Sequence, residues 1–378
     1  MHVAINGWFW SQPHVGSGQY VRRLVPALRQ ARPDLTITLI VPSGSGVGHV
    51  PDGVSVIETD GGRGKLGKVW FEQQRFPAAV KACKADLAFV PYWGAPLSSP
   101  VPLVTMVLDV IAAVLPEYAA SFGAALYTSL VTASAKGSSH LLTLSNASKA
   151  DVVARIGVPP ERVTVTHLAV DDAFHPVLGS DKDALIRQKY DLPDSYILYI
   201  GGFDVRKQVN ELLLAYTYVR QGAPEVPLIL AGHEPKWGGA VFPDLRAYID
   251  RLGIADSVRW LGYVEEADKP ALYRMAVASA YPSRYEGFGL PVLESMAAGT
   301  PVVAWDVPVM REIGGDGVYL VKSGRELGGA ILALINQQPL CESLITQGLA
   351  QATRYQWRKT ARETLAVFDA VLKGVTPA

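Results

Sequence analysis

The stretch YPSRYEGFGLPVLESMAAGT, Tyr281 to Thr300, decides how this chain is read. The apolar run before it, Ala276 to Tyr281, reads as a buried strand, and Ser283 to Gly289 as a loop. Pro291 reads as the first residue of a short helix, where its fixed φ fits and its missing N–H costs nothing. Gly299 ends that helix, and Thr300 to Trp305 reads as the next strand. This order aims the backbone N–H groups near Gly289, Leu290, Val292 and Leu293 into one small space that favours an anion. Glu286 in the loop and Glu294 on the first turn of the helix bracket that space, with seven residues between them. A carboxylate accepts hydrogen bonds from paired hydroxyls, as a sugar or ribose offers, while backbone donors suit phosphate. The expected ligand is a sugar joined to a nucleotide diphosphate. Taken singly, each glutamate also has a plainer reading: Glu294 complements the helix dipole and Glu286 is a solvated loop residue.

Glu286, seven residues and Glu294, with Gly287, Phe288, Gly289, Leu290 and Pro291 between, resemble the signature of the retaining glycosyltransferases of family 4. The resemblance implies an α/β fold of GT-B type, two Rossmann-like doubly wound domains facing across a cleft. It implies further that Glu294 holds the ribose hydroxyls and Glu286 approaches the donor sugar, while Phe288, Gly289 and Leu290 line sugar and diphosphate. A phosphate-binding cation and a second domain are then required of the rest of the chain.

At 378 residues the chain is long for one core and comfortable for two domains of roughly 150 to 200 residues. Its 35 basic and 35 acidic side chains cancel, so net charge points to no nucleic-acid partner. Cys83 and Cys341 are far apart and lack metal-ligand spacing, which argues against a disulfide framework and a zinc site and favours a reducing cytoplasm. Met1 to Phe9 alternates like a strand with no basic n-region or cleavage site, so no signal peptide is expected. Tyr118 to Ala135 carries no charge for 18 residues, near the lower length of a membrane span. Its hydroxyls, Ser121 among them, and Gly123 favour a buried domain helix instead. Peripheral contact with the cytoplasmic face of a membrane stays open.

Taken in order, His2 to Phe9 reads as a strand, Gly16, Ser17 and Gly18 as a turn, and Gln19 to Gln30 as a helix. The turn lacks the third glycine of a dinucleotide fingerprint, since Val21 stands there. It is an ordinary tight turn or a phosphate cradle, and family resemblance implies that the glycine pair faces the donor diphosphate. Leu35 to Val41, Val54 to Thr59, Asp86 to Pro91 and Val101 to Val110 follow as short apolar strands, implying a parallel sheet covered by helices. The segment WFEQQRFP, with Trp70, Glu72, Gln73, Gln74 and Pro77, resembles a family helix and is expected mainly to pack. Trp93 follows a strand's carboxyl end, where open α/β sheets bind ligands, and its ring is either an acceptor-sugar platform or a half-buried rim. Many family members have a histidine where Leu108 stands here, so that imidazole's role does not transfer. Asp109 contacts an acceptor or caps the strand end, and His14 is a candidate for the vacated space. His140 to Asn146 and Val163 to Val170 complete the first half, and Asp171 to Asp194 reads as a linker.

Ser195 to Phe203 opens the second half, and two cations, Arg206 and Lys207, stand at the next helix start. Two cations beside a positive helix end repel each other and the dipole, so an anion between them is the economical explanation; a solvated pair is the alternative. GGFDVRKQVNEL resembles the family's diphosphate site, with Gly202 where relatives often carry Arg. Strands follow at Pro227 to Gly232, Val258 to Val264 and Val318 to Val321, and resemblance puts the backbone of Tyr263 against the base. Trp357, Ala361, Leu365 and Phe368 form the apolar stripe of a last helix. The expected domains are 1–172 for the acceptor, 173–354 for the donor, and a helix in 355–378 that crosses back to the first.

The expected reaction is transfer of a sugar, with retention, from a nucleotide-diphosphate sugar to a hydroxyl on a glycan, a lipid-linked sugar or a small molecule. It calls for no metal and no cofactor. A sugar-nucleotide epimerase of similar build and an inactive nucleotide- or glycan-binding protein are the alternatives. A nicotinamide dehydrogenase is disfavoured by the missing glycine.

Overall fold

The computed structural model describes residues 1–62, 64–118 and 122–377. The chain divides into two compact units, Met1–Leu168 with Gln356–Ala378, and Ala169–Tyr355. Each is built on one parallel sheet, as the alternating pattern of strands and helices requires.

In the first unit the strands are β1 (His2–Asn6), β2 (Thr36–Pro42), β3 (Val54–Thr59), β4 (Leu87–Val90), β5 (Leu103–Val107), β6 (His140–Thr143) and β7 (Val163–Val165). They pair in the order β3-β2-β1-β4-β5-β6-β7, so the winding reverses between β1 and β4. All of β4 and β5 is buried, which is why LAFV and LVTMV read as unbroken apolar runs and not as alternating ones. The helix Trp357–Leu372 packs in this unit. Phe368 meets the Phe89 ring at 5.3 Å, and Arg32 grips Asp369 through two hydrogen bonds of 2.7 and 2.5 Å.

In the second unit β8 (Ile197–Ile200), β9 (Leu228–Ala231), β10 (Val258–Gly262), β11 (Ala278–Tyr281), β12 (Val302–Trp305) and β13 (Val318–Val321) pair in the order β10-β9-β8-β11-β12-β13. Here the winding reverses between β8 and β11. The loops leaving these two strands therefore run side by side at their carboxyl ends, the place where open sheets of this type take ligands.

Three local expectations change. The first helix spans Gly16–Ala31, so the glycine pair forms its first turn and does not precede it. The expected linker contains a helix, Asp183–Lys189, tied down by Arg274 to Asp183 at 2.5 Å and Lys189 to Asp268 at 2.6 Å. Charge pairs hold it where an apolar period is lacking. The uncharged stretch from Tyr118 forms a helix, Phe122–Gly137, that buries only Val131, Ser134 and Ala135 and leaves Phe122 85% exposed. It is an edge helix and not a buried one; residues 119–121, with Ser121, lie outside the described residues. Among the described residues no helix is long and apolar enough to cross a membrane.

Candidate functional site

In the second unit the loop after β11 ends at Gly289, whose φ of +94° is open to glycine at little cost and strains any other residue. The helix Leu290–Ala297 starts there, which puts Pro291 at its second position. Val292 and Leu293 do not offer their N–H groups to a ligand as the spacing predicts, because both donate to the Gly289 carbonyl, at 3.0 and 3.3 Å. A helix's first carbonyl takes the donors that follow it, so among the described residues the donors left at this end belong to Gly289 and Leu290. Glu294 lies in the second turn and not the first. Its carboxyl accepts from the Tyr273 hydroxyl at 3.0 Å, and that hydroxyl lies 3.2 Å from the Tyr281 hydroxyl. Burial pushes the Glu294 carboxyl up to about 7, with the Lys269 charge opposing.

The loop after β8 carries the cations. A short 3-10 turn, Val205–Lys207, is followed by Gln208 at φ +47°, a left-handed residue that starts the helix Val209–Gly222. Its side chain is fixed by Trp305, whose indole N–H donates to Gln208 Oε1 at 2.8 Å. Arg206 and Lys207 are thereby turned toward the neighbouring loop. Arg206 Nη1 donates to Glu286 Oε2 at 2.7 Å and to the Tyr285 carbonyl at 3.1 Å, and Lys207 Nζ donates to Glu286 Oε1. Asp204 holds the other side of Arg206, Oδ1 to Nε, at 3.1 Å. Arg284 N donates to the Arg206 carbonyl at 2.9 Å and binds the two loops through their backbones.

This pairing excludes the two plainer readings. The cations are not a solvated pair, and Glu286 is not a free carboxylate: opposite charges whose side chains are only 10 to 16% exposed neutralise one another. Burial alone would push the Glu286 carboxyl up, but the adjacent Lys207 and Arg206 charges outweigh it and hold it at about 2. Two carboxylates and two cations leave the cluster with no net charge. Beneath it the Tyr199 ring lies 5.9 Å from that of Tyr281, so Glu286 and Glu294 share a floor of three buried tyrosines, Tyr199, Tyr281 and Tyr273. The sequence reading passed over these tyrosines and Asp204. The signal for Asp204 was its place two residues before Arg206; tyrosines in apolar strands look like packing.

Gly202 is exposed, and a Cβ there would meet Asp204 Oδ2 at 3.2 Å, so a larger residue would crowd the carboxylate that orients Arg206. Tyr263 is 54% exposed just beyond β10. Phe288 is buried with its ring edge-on to Tyr355 at 5.7 Å. In the first unit His14 and Gly16 are exposed and Ser17 is half-buried. Gly18 is forced by packing, since a Cβ would fall 2.0 Å from the Gln12 carbonyl oxygen. The Trp93 indole N–H is spent on the Val131 carbonyl at 3.1 Å, and Asp109 accepts from Ile111 N at 3.1 Å as a turn cap. Leu108 packs against the core beside β4.

Two family models match the chain: Glycosyltransferase Family 4 over residues 15–174 and Glycosyl transferases group 1 over 182–351. The O-antigen chain mannosyltransferase B of Escherichia coli is 34% identical over 234 residues, 60% of each chain. A phosphatidyl-myo-inositol mannosyltransferase of Mycobacterium leprae is 32% identical over 181 residues, 46% of each. The chain thus spans less than two thirds of the length of these curated relatives. A sucrose-phosphate synthase structure from Thermosynechococcus elongatus superposes with a TM-score of 0.79 at 20% identity, covering 99% of this chain and all of the other. With family models over both units and two Rossmann-like sheets of the GT-B type, the chain belongs to glycosyltransferase family 4.

Proposed function

We propose that the protein transfers a hexose, with retention, from a nucleotide-diphosphate sugar to an acceptor hydroxyl. The observation that carries this is the pairing of Arg206 and Lys207 with Glu286, three residues before the helix-starting Gly289, on loops at the winding reversal of the second sheet. When the anomeric C–O bond breaks, its electron pair leaves with the diphosphate. Lys207, Arg206 and the Gly289 and Leu290 N–H groups meet that charge. The acceptor oxygen then bonds to the anomeric carbon on the same face, and its proton passes to the departing diphosphate. Glu286, released from its cations as phosphate takes its place, turns to the sugar; Glu294 takes the ribose hydroxyls, and the Tyr263 backbone meets the base. This assignment needs no metal ion. The likeness to an O-antigen chain mannosyltransferase and a phosphatidyl-myo-inositol mannosyltransferase supports mannose as the sugar, carried to a glycan or a lipid-linked polyol. The test is Lys207→Ala, which should lower kcat roughly 10²-fold on the scale of a lost oxyanion donor. Near-normal turnover would defeat the phosphate assignment. Product anomeric configuration by NMR tests retention, and activity kept in EDTA tests the metal-free reading.

A further inference from the structure

Glu294 is backed by two hydroxyls that the transfer reading leaves without a role. The Tyr273 hydroxyl donates to Glu294 Oε2 at 3.0 Å, and the Tyr281 hydroxyl lies 3.2 Å behind it. Tyr273 is fully buried and Tyr281 nearly so, and burial holds both hydroxyls well above the ordinary phenol range, so each keeps its one proton. Tyr273 spends its proton on Glu294, and the contact between the two tyrosines therefore uses the proton of Tyr281. Both donors run toward the carboxylate, and each strengthens the next.

Tyr273 is fixed in place through its backbone. It stands on the short helix Lys269–Arg274, whose carbonyls at Leu272 and Tyr273 accept from the Tyr196 hydroxyl at 2.7 Å and the Thr300 hydroxyl at 2.6 Å. Tyr196 directly precedes β8, and Thr300 lies just past the helix that carries Glu294. The Phe174 ring closes on that of Tyr273 at 5.8 Å. A donor held on three sides selects one orientation of the carboxylate it meets. Among the described residues Tyr273 is the one hydrogen-bond donor to Glu294, which leaves Oε1 to a ligand. The other groups that act on Glu294 do so by charge alone: Lys269 favours the carboxylate, while Glu266 and Asp171 oppose it. We propose that Tyr273 is a positioning residue for the donor: with Tyr281 behind it, it holds Glu294 Oε2 so that Oε1 meets the paired ribose hydroxyls. The proposal rests on the ribose assignment of Glu294 above.

Calorimetric titration of the full chain with UDP and GDP, and with their 2′,3′-dideoxy counterparts, tests it from pH 5.5 to 8.5. The wild-type chain should bind the ribonucleotide at least about 10-fold more tightly than the dideoxy form, as a site built for hydroxyls does. Tyr273→Phe should weaken the ribonucleotide about 3- to 10-fold, the scale of one hydrogen bond to a charge, and leave the dideoxy form within about 2-fold of wild type. It should also raise the midpoint of the affinity profile by about half to one pH unit, because the carboxylate loses a donor that favours its charged form. A role in packing alone would move both nucleotides alike and leave the midpoint in place. If Tyr273→Phe does not fold, Tyr281→Phe carries the test, with the same direction and about a 2-fold loss of ribonucleotide preference. An unchanged preference or an unmoved midpoint overturns the positioning role alone. A wild-type chain that binds neither UDP nor GDP, or binds the dideoxy forms equally well, overturns the ribose assignment and the proposal with it.

Discussion

At the scale of single residues, Glu294 is a site group whose charge changes near neutral pH. Its carboxyl is buried and pushed up to about 7, so the folded chain holds a proton there that an unfolded chain releases near 4.5. Stability from this group is full below pH 4.5 and falls as pH rises toward 7. Glu294→Gln should therefore gain a few degrees in Tm over wild type at pH 8 and little at pH 4.5, as scanning calorimetry would show. The same ionisation bears on ligands, since the charged carboxylate accepts two ribose hydroxyls where the acid accepts them poorly. Nucleoside diphosphate affinity should rise about 3- to 10-fold from pH 5.5 to 8.5, and Glu294→Gln should flatten the profile. An unchanged wild-type profile would remove Glu294 from the ribose site. Glu286 behaves in the opposite sense. Held at about 2, it is charged throughout this range and competes with phosphate for Lys207 and Arg206. Glu286→Gln should bind UDP or GDP more tightly, about 10-fold, while transferring sugar more slowly; weaker nucleotide binding would show that Glu286 does not occupy the phosphate position.

At the scale of elements, the strand–loop–helix around Gly289 was legible because each piece carries its own chemical mark: an apolar run, a glycine, a proline, a closing glycine. The bonding at the helix start was not, because Val292 and Leu293 could serve a ligand or the Gly289 carbonyl, and only backbone geometry chooses. Gly18 teaches the same lesson from the other side. The sequence leaves its glycine open between an ordinary tight turn and space for a phosphate, and the nearest atom to a Cβ is the chain's own Gln12 carbonyl oxygen. Gly18→Ala should lower Tm through that clash, by about 1 to 3 kcal/mol of overpacking. Gly289→Ala, forced to a φ of +94°, should lower both Tm and nucleotide affinity. If Gly289→Ala binds nucleotide like wild type, the helix start is not the anion site. The Glu286 pairing with Arg206 and Lys207 joins loops nearly eighty residues apart in sequence, a distance at which no local pattern speaks.

At the scale of the whole chain, strands such as Leu87–Val90 and Leu103–Val107 could be read directly, since a strand buried on two faces announces itself by composition. The edge helix Phe122–Gly137 misled because an uncharged run resembles a core segment until its exposed Phe122 is seen. Hydrogen exchange offers a test at this scale. UDP or GDP should slow exchange in peptides covering 201–208 and 283–294. Protection by nucleotide confined to the first unit would overturn the donor assignment.

The helix Trp357–Leu372, seated against Phe89 and clamped by Arg32, carries one more consequence. Ribosomes deliver a polypeptide from its amino end, so the segment that covers Phe89 is made after the whole of the second unit. The second unit has all its residues before the first one does. Nascent chains halted before Gln356 should show a protease-resistant fragment from Ala169 onward, while the earlier half stays cleavable until the helix Trp357–Leu372 emerges.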